Sequence, residues 1–271
     1  MQPPRHQLSA RLPGKALKTS GVIWYLTAAA GQLAFIYYIL VYYGGRTARG
    51  EYAAWNDRPI IMGYAEGDLL GNIMFALHVL LAAVITFGGL MQLIPPLRRR
   101  FPALHRWNGR LFMALAVFMA IGGIWLVWGR GAFLSVSSGI PTTINGILIL
   151  IFAGIALRYA IRRQIDQHRQ WAMRLFMAVN GVWFFRVMIM AWIIGNQGPR
   201  GMNSTLSGPA DFAISYGSFL LPLLGLEIYF AATRSQSAGA KLAAAGFVLL
   251  MSALMALGIF GTITRMWGPY L

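Results

Sequence analysis

Three histidines and one arginine carry most of the chemistry open to this sequence. His78, His105 and His168 can bind a metal or exchange a proton near neutral pH. Arg186 stands inside an apolar run and cannot shed its charge by deprotonation. Zero cysteines among 271 residues remove disulfides, thiolate metal sites, iron–sulfur clusters and thiol nucleophiles. The chain also lacks paired carboxylates, a Gly-rich phosphate loop and a Ser/His/Asp grouping, which argues against a hydrolase or an ATP-driven pump.

Spacing limits what the histidines do together. From His78 to Ile94 is about 24 Å of helix, and His105 lies beyond it. One metal ion cannot reach all three, and no carboxylate stands beside His78 to serve as its base, so a three-ligand zinc site is not expected. The spacing does permit two separate sites stacked along the helices, the arrangement of an electron-transfer protein with two hemes.

The elements that must hold these residues follow from composition. At 58% hydrophobic and 11% charged, the chain lies far from the soluble globular range. Seven apolar runs are long enough to cross a bilayer, at about 22–43, 69–94, 111–128, 142–160, 171–195, 212–232 and 242–263. We therefore expect an all-α polytopic membrane helix bundle, one integral membrane domain over 1–271, with helices two to five (about 69–195) as its core. The basic stretch 1–20 precedes a long apolar run without a small-residue cleavage pattern, and reads as an anchor.

Charge sets the expected orientation. The N-tail and the connections at 95–110, 158–174 and 233–241 hold sixteen of the 23 Lys and Arg against the single Asp166. The opposite connections nearly balance, with Arg46, Arg49, Arg58, Arg130, Arg200 and Arg265 against Glu51, Asp57, Glu66, Asp68 and Asp211. Basic connections stay cytoplasmic, which predicts the N-terminus inside and the C-terminus outside. This rule absorbs nearly all of the net +16, so no nucleic-acid partner is expected. Trp24, Tyr25, Trp107, Trp128, Trp171, Trp192 and Trp267 lie near helix ends, as headgroup anchors would. The outer loops 44–68 and 196–211 are expected to fold over the mouth of the bundle.

Ionisable groups in hydrocarbon are costly and point to function. His78 and Arg186 fall about nine residues, roughly 14 Å, from the outer side of their helices. With Asn145 they form a candidate ligand pocket for an anionic or lipid-like small molecule, in which a ligand carboxylate would meet the arginine. Glu227 lies in the inner third of helix six. Gln32, Asn72, Gln92, Asn145 and Asn180 read as hydrogen-bonding glue between helices, which leaves Asn145 with two readings.

An internal repeat joins two further sites. His105-Arg106 recurs as His168-Arg169 at an offset of 63, while Trp107, Arg110 and Leu111-Phe112-Met113-Ala114 recur as Trp171, Arg174 and Leu175-Phe176-Met177-Ala178 at an offset of 64. The helix pairs two–three and four–five therefore read as parallel structural repeats. The repeat sets two histidines at matching depth on one membrane side. A small residue follows each one turn later, Gly109 and Ala172, against which a flat macrocycle could lie.

The combination of His78, Gly88-Gly89-Leu90-Met91-Gln92, Arg99-Arg100, His105-Arg106-Trp107-Asn108-Gly109-Arg110 and His168-Arg169-Gln170-Trp171 resembles the bacterial membrane-protein family DUF2306 over about residues 70–190. That resemblance implies a multi-pass protein of the bacterial inner membrane without an assigned activity. A looser similarity is to the cytochrome b561 type of four-helix core. It implies a b-type heme between His105 and His168, with Arg106, Arg110, Arg169 and Arg174 at its propionates and a quinone as electron partner. His78 would be an outer ligand, but its expected partner near 145–150 is not a histidine. Two functions are thus expected: a membrane redox protein or redox accessory with heme b, or a heme-free binding or transport protein using the pocket at His78 and Arg186.

Overall fold

The computed structural model describes residues 5–57 and 62–271; Arg58, counted above in the loop charge, lies outside them. The described residues are helical in every regular element: α1 (Arg5–Tyr38), α2 (Gly45–Ala48), α3 (Leu69–Gln92), α4 (Pro95–Arg100), α5 (Pro102–Trp128), α6 (Val136–Ile161), α7 (Ile165–Val179), α8 (Gly181–Gly195), α9 (Pro209–Arg234) and α10 (Ala238–Gly261), with short π and 3-10 turns. Six helices are long and apolar enough to cross a membrane, and the pair α7–α8, bent by 54°, supplies a seventh span if taken as one. Two expectations change here. The first helix begins well before residue 22, and the fifth span is not one continuous helix.

Helix α6 shows how sequence becomes a span. Ser135 caps its start by accepting from the Ser138 backbone N–H, and Ser138 returns the bond. Ile140, Ile144, Ile147 and Ile151 recur at three- and four-residue spacing and are all exposed. Gly139, Asn145, Gly146, Ile149, Ala153 and Ala156 are buried on the other side. Large apolar groups outward and small groups inward are the reverse of a water-soluble helix, and suit lipid outside with close packing inside.

The helices α3, α5, α6 and α7 pack in sequence, each against the next. Helix α1 lies along α10 and also touches α3, while α8 packs on α9 and α10. The basic ends of α4, α5, α7 and α10 are thereby gathered at one end of the bundle. At the other end Arg130, on the turn after α5, donates to Asp68 Oδ2 at 2.8 Å, Asn72 Oδ1 at 2.7 Å and the Gly63 carbonyl at 3.1 Å. Gly63 and Asp68 are tied to the start of α3 by these bonds, and Trp55, earlier in the same connection, is buried against Phe75. Trp267 departs from its expected anchoring role: it is 1% exposed and stacks on Phe35 and Tyr38 inside the core.

Candidate functional site: a cavity shared by two histidines

The two repeated segments fold in the same register. His105 and His168 are each the fourth residue of their helices, and each donates its backbone N–H to the residue before the helix, Phe101 and Gln164. Arg110 and Arg174 each lie over the tryptophan that precedes them, with 4.7 Å from Arg110 to Trp107 and 4.6 Å from Arg174 to Trp171.

Both histidines line one cavity of about 1970 Å³. Its lining also includes Arg106, Arg110 and Arg169, the small residues Gly109 and Ala172, and Lys18, Arg98 and Asp166. His105 and His168 lie within range of each other's charge, and Arg98 and Arg106 act on His105 as well. The His168 ring is fixed from behind. Its Nδ1 lies 2.9 Å from the Ala156 carbonyl, and because a carbonyl only accepts, Nδ1 carries a proton, so that in the neutral ring the lone pair is on Nε2. His105 is positioned through its backbone, where Gln92 Nε2 donates to its carbonyl at 2.9 Å. Sequence reasoning cast Gln92 as glue, and it does bridge two helices here. It did not single out Lys18 or Arg98; for Arg98 basic charge shortly before the first repeated segment was the available signal, and for Lys18 only its place among the basic residues of the N-terminal stretch.

Arg174 has another role. It donates Nε to Glu227 Oε1 at 2.7 Å and a second N–H to Oε2 at 3.0 Å, and it is absent from the cavity lining. The expectation that it meets propionates is corrected, because a carboxylate from α9 already satisfies its charge in a bidentate pair.

The expected outer pocket is likewise not a lining of this cavity, which contains none of His78, Arg186 and Asn145. His78 and Arg186 do come within range of each other's charge. However, the His78 ring lies against α5, where a Cβ on Gly123 would be 3.2 Å from Cε1. Arg186 donates to the Val182 carbonyl at 2.9 Å and sits over the Phe35 ring at 5.5 Å. Asn145 donates to the Ala178 carbonyl at 3.0 Å, next to the α7–α8 break. Of its two readings, glue is the one the geometry takes.

Residues 75–208 match the family model of DUF2306, described as a predicted membrane protein. No curated protein and no solved structure matches the chain.

Proposed function

Starting from a chain whose residues 75–208 belong to the DUF2306 family of predicted membrane proteins, we propose that the cavity binds a b-type heme through His105 and His168 and that the protein transfers electrons within a bacterial inner membrane. The observation that carries this reading is the convergence of two histidines, from equivalent turns of a repeat, on one cavity with apolar walls and a cationic end. His168 offers Nε2 with its tautomer already set, which favours a metal ligand over a proton donor at that atom. Arg106, Arg110 and Arg169 supply cations where two propionates would need them. When bound between two imidazoles, such a heme supplies one-electron transfer at a potential tuned by its ligands and surroundings. The residues here orient it, exclude water from its faces and neutralise its acids, and a quinone would be a fitting lipid-phase electron partner.

The test is an absorption spectrum of the chain produced with ample heme. We expect a sharp α-band on reduction, lost in His105→Ala and in His168→Ala. A protein without Soret absorption overturns the reading. Orientation is part of the proposal: with the basic end cytoplasmic, a reporter fused after Leu271 reads as extracytoplasmic, and a cytoplasmic signal rejects that placement.

A further inference from the structure

The cavity is too large and too long for one compact ligand. Ligand pockets run to about 1,000 Å³, half of the 1970 Å³ found here. Its lining changes with depth. Helices α1, α5 and α6 contribute residues from their basic ends to near their middles, such as Lys18 to Leu26 on α1, His105 to Val117 on α5 and Leu150 to Ile161 on α6. Beyond that depth the walls come from α8, α9 and α10, through residues such as Val187, Ala191, Leu221, Met251 and Met255, almost all apolar. From Tyr229 to Ile214, both lining residues, is about 22 Å along α9. One leaflet of a bilayer core is about 15 Å deep.

We infer that this extension holds the acyl chain of an anionic membrane lipid whose head group lies against Lys18 and Arg98. Charge complementarity selects the head group: among the described residues the lining carries five cations, Lys18, Arg98, Arg106, Arg110 and Arg169, against the single carboxylate of Asp166. The heme reading uses only the three arginines of the repeated segments, which leaves Lys18 on α1 and Arg98 on α4 for a second anion. The acyl chain then covers apolar walls that a rigid macrocycle at the histidines leaves bare. The inference concerns the same cavity but rests on other residues of its lining, so it survives if no heme binds.

The experiment uses the full chain in mixed micelles, with phosphatidylglycerol or phosphatidylcholine of identical chains, and counts retained lipid by native mass spectrometry. Phosphatidylglycerol should be retained about tenfold more than phosphatidylcholine, and the preference should fall to near parity when Lys18 and Arg98 are both changed to Gln. A photoactivatable group near the end of the acyl chain should label Met251, Met255 and Ala191, and not the exposed Ile144, Ile147 and Leu250. Ala191→Phe should abolish retention while leaving the heme spectrum intact; His105→Ala should do the reverse. Equal retention of the two lipids, or labelling spread evenly over the exposed helix faces, overturns the inference without reference to heme.

Discussion

The helix that carries His105 and the helix that carries His168 begin alike and end differently. The first, α5, runs unbroken for 27 residues, whereas the second stops after 15, turns by 54° at Asn180 and continues as α8. Small polar groups gather at that break. Asn145 donates to the Ala178 carbonyl, Asn180 Nδ2 to the Phe176 carbonyl at 2.8 Å, and Gln32 Nε2 to Asn180 Oδ1 at 3.0 Å. In hydrocarbon a carbonyl freed by a bend must find such a donor. Near the start, the equivalent arginines also part company: Arg110 lines the cavity, while Arg174 is held by Glu227. A repeat thus conserves register and the arginine-on-tryptophan contact, and a third helix decides whether each arginine serves a ligand or the fold.

Separating these two arginines should give the largest effect on stability. Glu227→Leu leaves Arg174 without its carboxylate and should cost about 2 kcal/mol, less than breaking a fully buried ion pair because Glu227 is 44% exposed. Joint replacement by Arg174→Met and Glu227→Leu should recover most of the loss in thermal unfolding. Arg110→Met, by contrast, should change stability by about 0.5 kcal/mol or less and weaken heme retention about tenfold, the worth of one charge-assisted bond. Equal destabilisation by Arg110→Met and Glu227→Leu would erase the distinction.

The break offers the next test. Asn145→Ala removes the donor from the Ala178 carbonyl and should cost about 1–2 kcal/mol. Gly181→Ala attacks the same place from the other side, because its Cβ would lie 2.7 Å from Asn145 Nδ2. The two losses should therefore be less than additive when combined. Additive losses would mean that the amide and the glycine act separately.

These contrasts explain what the sequence made legible. Membrane spans follow from local composition, and the repeat from direct comparison of two segments, so the bundle and the paired histidines could be read before any coordinates. The partner of Arg174 could not. Glu227 lies 53 residues away, and only the packing of α7 on α9 brings it within reach. The faces taken by His78 and Arg186 were hidden for a related reason. Equal depth along two helices says nothing about the face each residue takes, and His78 lies against Gly123 rather than in the cavity. The break at Asn180 left a trace in Asn-Gly, a pair that marks turns in polar chains, but it was hidden within 25 apolar-run residues read as one span.

The smallest effect is expected far from both repeated segments, where Asp68 ties α3 to Arg130. The Gly71 backbone N–H, and after it the Arg130 guanidinium, hold the Asp68 carboxyl below its ordinary range. A carboxyl whose folded value is lowered stabilises the fold at pH above the unfolded value, near 3.9. That contribution is lost as pH falls through the lower folded value. Thermal unfolding followed from pH 6 to pH 3 should show wild type above Asp68→Asn at the neutral end, with the gap closing as acid is added. Because Asp68 is open to solvent and its pair is screened, raised salt should narrow the gap at pH 6 as well. The Glu227→Leu gap should narrow with salt too, since Glu227 is 44% exposed, but less, because the bidentate contact fixes the two charges against each other. If salt closes both gaps equally, Arg174 and Glu227 interact as a solvated surface pair, and the structural role assigned to the second arginine fails.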